Sequence, residues 1–506
     1  PDKVYGIHPH FAMGADLVHM ERSGWNGNCN IAIAFLRGGA REYGKKWALN
    51  MSPWGNSHTY ARAGTAYDGN NRHVAGNSAE LHWFNNISAL LAGADEICHA
   101  GNETMFFRLP EPTLFGPSNC DHSPTDVGRH VDPGEYGARL TPAGEYAKRL
   151  AKLVNDPHFE RGTPIVPAAL MVELCHGWEA HHFACEDWAW GGKVPVHRGD
   201  RMLSALFNLF YPGHALSGRA HDRTYNPEVP FESEFEMMKM LYAGMDMRRF
   251  EKGIFAPTPF GDSFDVVTDM ISADVLQNYP LAILAGRLSL TPENLPRLKR
   301  YVEAGGTLVL HGMGLGLWEG GTDLNVPKGY QENVESLIGC KIRSLFAVGY
   351  FPSVICATGE RLPEGKYEYT LAEPEAAKPL VEGEEIYESI MRERAGLLAE
   401  AAAKGDKTHP RQNKPLNRLL RERRENYRHS PGNGTPIVTE NKVGKGRVIF
   451  CAPHNHLTAQ GKQMVNGVRE SLARLVDSFV PARIHGRPVQ FHVNRISDGC
   501  LVGIFN

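Results

Sequence analysis

The first 155 residues alternate short apolar runs with stretches that repeat apolar residues at helical spacing. Residues 15–20 read as a strand followed by a polar loop at 21–30. In residues 31–43, Ile31, Phe35 and Leu36 fall at i, i+4 and i+5, and Gly44 stands where a C-terminal cap belongs. Residues 47–51 give a second strand, closed by the turn Ser52-Pro53-Trp54-Gly55. A helix at 79–92, a third strand at 96–100 and a helix at 142–154 complete the series. Strands alternating with helices predict parallel βα units. Three such units do not close an eight-stranded barrel, which takes about 250 residues. Either they belong to a barrel whose other strands lie upstream or on another chain, or they extend the following domain.

The pattern restarts at Thr163. An apolar strand at 165–173 and helices at 200–211 and 234–245 precede the clearest block, residues 264–311. It reads strand (265–268), helix start at Ser272, strand (281–285), helix (291–303), the pair Gly305-Gly306, and strand (307–310). A glycine pair between helix and strand fits a cap followed by a sharp turn. The same pattern resumes at 436–438 and 448–451, followed by a helix at 461–479. This predicts a doubly wound α/β domain. Residues 359–430, rich in Glu, Arg, Lys and Ala, read as a charged helical insertion. After Pro488 the alternation Val489, Phe491, Val493 and the turn Ser497-Asp498-Gly499 predict a β-hairpin. The expected division is a barrel portion at 1–158, the α/β domain at 159–484 and the start of a β-rich domain at 485–506.

Composition narrows the classes. The 506 residues are 42% hydrophobic and 22% charged with a formal net charge of -3, so no overall field recruits nucleic acid or an anionic membrane. No apolar run approaches the roughly 20 residues of a membrane span, which predicts a soluble protein. The nine cysteines contain no CxxC pair, so free thiols are expected rather than a disulfide framework or a zinc ribbon. Residues 1–10 do not read as a signal peptide, and an incomplete N-terminus is expected, which leaves localisation open. Only His8-x-His10 has metal-like spacing, so no metal and no cofactor are expected.

Val266, Val267, Tyr279, Leu281, Tyr301, Val302 and Gly305-Gly306-Thr307-Leu308-Val309, with Gly444-Lys445-Gly446-Arg447-Val448 further on, resemble the trimerisation domain of family 42 β-galactosidases and related clan A glycoside hydrolases. That resemblance implies a class I amidotransferase-like fold following the last strands of a (β/α)8 barrel. It also implies a carbohydrate substrate and a homo-oligomer, dimer or trimer. In a working amidotransferase a thiol stands on the turn after a strand. Here that turn reads His311-Gly312-Met313-Gly314, so no glutaminase chemistry is expected. His454 and His456 resemble the place of the family's histidine and read as structural.

The resemblance further makes the strands at 15–20, 47–51 and 96–100 the sixth, seventh and eighth of the barrel, with chemistry at their C-terminal ends. There the chain carries His19 and Glu21, then Asn50 and Trp54, then Asn102 and Glu103. Glu21 and Glu103 are the candidate carboxylate pair of a glycosidase. His19, Trp25, Asn50, Trp54, Asn102 and Arg108 are candidate substrate contacts, the tryptophans as platforms for a sugar's C–H face. The family's acid/base sits on a fourth strand not seen here, and its nucleophile on the seventh, where Asn50 and Ser52 stand. A polysaccharide lyase using His19, Arg22, His58 and Tyr60, and a non-catalytic carbohydrate-binding or assembly subunit, are the alternatives.

Overall fold

The computed structural model describes residues 6–22, 29–51, 79–99, 107–108, 139–140, 142–176, 203, 206–207, 210, 260–317, 327–351, 354–355, 361–362, 365–382, 436–452, 462–485 and 489–505. The helix read at 234–245 lies outside them.

Strands β1 (Leu17–Arg22), β2 (Lys46–Met51) and β3 (Glu96–His99) form a parallel sheet in that order. Helices α1 (Ile7–Ala12), α2 (Cys29–Tyr43), α3 (Ala79–Leu91) and α4 (Pro142–Val154) accompany it. Side chains alternate across a strand, so one face carries Val18, Met20, Trp47, Leu49 and Met51, which are buried in one core with Ile31, Phe35 and Leu36 of α2. Short strands β4 (Phe107–Arg108) and β5 (Arg139–Leu140) pair antiparallel as a separate ribbon.

The larger sheet has seven strands. It contains β7 (Ala168–Val172), β8 (Phe264–Thr268), β9 (Leu281–Leu284), β10 (Thr307–His311), β15 (Lys378–Glu382), β16 (Pro436–Val443) and β17 (Gly446–Cys451), in the spatial order β15-β16-β17-β10-β9-β7-β8. The five strands from β17 to β8 are parallel, and β16 and β15 are added antiparallel. Its two faces feed two cores. One takes Leu170, Val266 and Ile283 together with α2, the helical residues Leu203, Leu206, Phe207 and Phe210, and α8 (Lys462–Phe479). The other takes Met171, Val267, Leu284 and Leu310 with α5 (Ala273–Leu276), α6 (Leu295–Glu303) and α7 (Tyr330–Ile338). A sheet covered on both faces is the reason these strands are continuously apolar.

The Gly305-Gly306 pair is needed for close packing. Gly305 adopts φ +126°, and a Cβ on Gly306 would stand 2.5 Å from Cε1 of Tyr301. The Tyr301 hydroxyl in turn donates to the Tyr279 carbonyl at 2.8 Å, and the Tyr279 hydroxyl to Asp265 at 2.7 Å. Helix α6 starts at Leu295, later than the pattern suggested. The four residues before it form a reciprocal cap, with Thr291 N donating to Asn294 Oδ1 at 2.8 Å and Asn294 N to Thr291 Oγ1 at 3.2 Å.

The charged segment at 359–430 is not helical at its start. β13 (Arg361–Leu362), which pairs with β12 (Val354–Ile355), is followed by β14 (Gly365–Pro374) and then β15. β14 forms a long antiparallel ribbon with β11 (Cys340–Phe351). The period-two run Tyr367, Tyr369, Leu371, interleaved with Lys366, Glu368 and Thr370, is a strand pattern that the overall charge count obscured. Residues 383–435 lie outside the described set.

Helix α2 serves both sheets. β8 is an edge strand, and its outward backbone groups are taken by side chains: His8 Nε2 donates to Val266 O at 3.0 Å, Arg37 Nη2 to Phe264 O at 2.8 Å, and Thr268 N to Glu42 Oε2 at 2.7 Å. Capping an edge in this way removes a template for pairing with other chains. Arg37 also pairs with Asp262 and, at 2.7 Å, with Asp265, which receives Arg41 at 2.8 Å. Finally, β18 (Gln490–Ile496) and β19 (Gly499–Phe505) form the expected hairpin across the turn at Ser497 and Asp498. The free edge of β18 pairs with β6 (Thr163–Pro164), and Asn494 Nδ2 donates to Leu91 O of α3 at 2.8 Å.

Candidate functional site

Residues paired in register on neighbouring strands share a face. On the three-stranded sheet Glu21 aligns with Asn50 and Asn50 with Cys98, and two residues earlier His19 aligns with Ala48 and Ala48 with Glu96. These positions point away from the face that packs on α2. His19 and Glu96 are exposed, whereas Glu21, Asn50 and Cys98 are half-buried. Neighbouring strands are about 4.8 Å apart, so Glu21, Asn50 and Cys98 form a row about 10 Å long near the C-terminal ends of the strands. Ala48, between His19 and Glu96, is fully buried. Asn50 Oδ1 is shielded and makes no hydrogen bond among the described residues.

His99 sits on the opposite face. Its Nε2 lies 3.0 Å from Asn86 Oδ1 of α3, and burial pulls its pKa down to about 4. Arg108 lies in the β4–β5 ribbon, opposite Arg139, not on the parallel sheet. Trp25, Trp54, Asn102 and Glu103 lie outside the described residues, as do His58 and Tyr60. Of the expected group, the structure therefore brings Glu21, Asn50 and His19 onto one face. Cys98 and Glu96 join them there; the sequence pattern did not single them out, because only the register between strands aligns them with Asn50 and Ala48.

No family model and no curated protein matches this chain. Among solved structures it is similar to a catalytic mutant of Gan42B, a GH42 β-galactosidase from G. stearothermophilus, at 14% identity and a TM-score of 0.49, over 98% of this chain and 54% of that one. It is similar to the exo-β-1,4-mannosidase Op5Man5 from Opitutaceae bacterium strain TAV5 at 11% identity and a TM-score of 0.41, over 92% and 59% of the two chains. For α-L-fucosidase isoenzyme 2 from Paenibacillus thiaminolyticus the values are 12% and 0.43, over 96% and 53%. The chain thus spans about half the length of these proteins. Likenesses this distant assign neither an activity nor a residue to it.

Two further arrangements resemble reaction centres. After β10 comes a 3-10 turn, Gly312–Leu315, the turn at which the sequence resemblance would put an amidotransferase thiol, with His311 Nδ1 accepting from Gly314 N at 3.2 Å. Half-buried Met313 occupies the turn. Cys451, paired with His311 on β17, is buried, and burial pushes its thiol up to about 12. A thiol held protonated does not act as a nucleophile. His454 and His456 lie outside the described residues.

The second is a line of Ser, His and Asp. Ser88 Oγ lies 2.8 Å from His492 Nε2, and His492 Nδ1 lies 3.1 Å from Asp262 Oδ2, distances that suit nucleophile, base and orienting acid. Ser88 is fully buried, however, and Asp262 is engaged by Arg37. No substrate reaches that hydroxyl. The line instead ties α3, the hairpin and the chain before β8 together.

Proposed function

We propose that this chain is a carbohydrate-active enzyme, a glycoside hydrolase of oligo- or polysaccharides, with Glu21 and Glu103 as its carboxyl pair. The observation that carries this reading is the register of Glu21 beside Asn50 on the face of the parallel sheet opposite α2, close to the strand C-termini. Barrels and related parallel folds place chemistry at that end, and a structural role there would favour apolar side chains. An amide and a carboxylate side by side offer a donor and acceptors to adjacent hydroxyls of a sugar.

Glycoside hydrolysis needs one protonated carboxyl to donate to the leaving oxygen and a second, ionised one to act as nucleophile or to activate water. We assign these roles to Glu21 and Glu103, and substrate contacts to His19, Trp25, Asn50, Trp54, Asn102 and Arg108. The division at 1–158, 159–484 and 485–506, and a homo-oligomeric assembly, belong to the same reading. Exposed His19, on the face of Glu21, favours a second reading, a lyase in which that imidazole removes the proton α to a uronate carboxylate. Incubation with defined oligosaccharides separates the two. New reducing ends without ultraviolet absorbance support hydrolysis, unsaturated absorbing product supports the lyase, and neither leaves a non-catalytic carbohydrate-binding subunit.

A further inference from the structure

The outer strand of the β18–β19 hairpin presents an open edge. Backbone groups along a β-strand turn alternately to one side and the other. On β18, Val493 O accepts from Ile165 N at 2.9 Å and Phe491 O from Asp262 N at 3.0 Å, so these two residues turn away from β19. Their register partners Val502 and Ile504, and by the same alternation Cys500 opposite Arg495, therefore turn away from β18. Among the described residues nothing bonds to the backbone N–H and C=O groups of Cys500, Val502 and Ile504.

Their side chains lie on one face of the strand and are exposed, Val502 at 43% and Ile504 at 59%. Leu501, Gly503 and Phe505, on the other face, are half-buried, and the Phe505 ring meets Phe84 of α3 edge-on. Proteins ordinarily guard such an edge with charge, proline or a bulge. Residues 499–505 contain no charged residue and no proline, and their pairing with β18 runs without a register shift. On β8, by contrast, the outward groups are capped by His8, Arg37 and Glu42. The edge is also held firmly in place. Asn494 Nδ2 donates to Leu91 O and to Arg161 O, both at 2.8 Å, and Glu160 accepts from Ser497 N at 2.8 Å and from its hydroxyl at 2.7 Å.

We propose that a second copy of this chain pairs antiparallel with β19 across a two-fold axis at Val502. In that register Val502 faces its own counterpart and Cys500 faces Ile504 of the other copy, and each such pair exchanges two hydrogen bonds, so every outward group finds a partner. Side-chain sizes agree with the backbone. On the inner face Leu501 comes opposite Gly503 and Phe505 opposite Gly499, a large residue against a small one each time, while Val502 and Ile504 of the two copies join one apolar row on the outer face. With no charge on the strand, no like-charge repulsion opposes the contact. One strand edge is smaller than a standard interface, so the dimer dissociates on dilution. The pairing shares no residue with the Glu21 face, and a chain without glycosidase activity would still form it.

Sedimentation velocity over a dilution series and residue-resolved hydrogen exchange on the full chain test this. The amides of Cys500, Val502 and Ile504 should exchange slowly in the dimer and fast in the monomer, whereas those of Leu501 and Gly503, bonded to β18, stay slow in both. Val502→Lys sets two ammonium groups opposite each other and should raise the dimer Kd about tenfold or more. Val502→Pro removes only an N–H that β18 does not use and should do the same. Val154→Lys, at an exposed apolar residue of α4, is the control and should leave Kd unchanged. A monomer at every concentration, with those amides protected or not, would overturn the proposal. So would an oligomer indifferent to both Val502 variants, or fast exchange at Cys500, Val502 and Ile504 within the dimer.

Discussion

Gly38 of α2 lies directly against the backbone of Val266: a Cβ at that position would stand 2.7 Å from the Val266 carbonyl carbon. The neighbouring atoms are strand backbone, held in register by β7 on the other side, so they cannot swing away as a side chain would. Gly38→Ala should therefore cost about 3 kcal/mol, seen as a fall of several degrees in Tm. Gly499→Ala, with nothing within 4 Å of the added Cβ, is the control and should stay within about 0.5 kcal/mol. Equal Tm values for the two variants would show that α2 does not rest on this edge.

Glu42 makes the same contact sensitive to pH. Its carboxylate accepts from Thr268 N and from the Thr268 hydroxyl, but burial, reinforced by Asp269 and opposed by Arg297, pushes its pKa up to about 7. A carboxyl raised in the folded state stays protonated after its unfolded counterpart has ionised. Its contribution is present below about pH 4 and is lost as pH rises towards 7, on the order of 3 kcal/mol. Glu42→Gln keeps the acceptor and cannot ionise, so the stability of the variant relative to wild type should rise across that window. Denaturant melts at pH 4.5, 6 and 7.5 check this; a constant difference would mean that Glu42 is ionised throughout.

How far the sequence carries such statements depends on the range of the interaction. Strands such as Leu281–Leu284 and Thr307–His311 were legible because both faces of the sheet are covered and the strands are therefore apolar throughout. Helix α2 was legible from Ile31, Phe35 and Leu36, whereas Arg37 and Glu42 on its polar side carry no local signal of what they meet. They prove to be buried against Asp262, Asp265 and Thr268, more than 200 positions away in the chain. At the site, the C-terminal ends of the strands were readable, which put Glu21 and Asn50 among the candidates. Register was not, and so Cys98 and Glu96 went unnoticed. The Ser88, His492 and Asp262 line has no local signature at all.

The turn after β10 sets a negative expectation. With Met313 on it and the Cys451 thiol pushed up to about 12, added glutamine should release no ammonia. Iodoacetamide on the folded chain should spare buried Cys451 and Cys340 while modifying exposed Cys175 and Cys500. Mass spectrometry of the labelled peptides reads this directly. Rapid labelling of Cys451, or glutaminase activity that vanishes with it, would reverse the assignment.

The last expectation concerns Glu21. Glutamine in its place keeps the size and one acceptor and removes the charge and the transferable proton. If Glu21 gives or takes a proton during bond cleavage, kcat should fall about 100-fold or more with little change in KM. If Asn50 contacts the substrate as proposed, Asn50→Ala should raise KM while kcat falls less. Stability distinguishes chemistry from scaffolding. Glu21 is half-buried, on the face away from the core that holds Val18 and Met20, so its loss should leave Tm nearly unchanged. If Glu21→Gln instead lowers Tm by several degrees while each folded molecule keeps its activity, the carboxylate holds the sheet together, and the catalytic pair must be sought elsewhere.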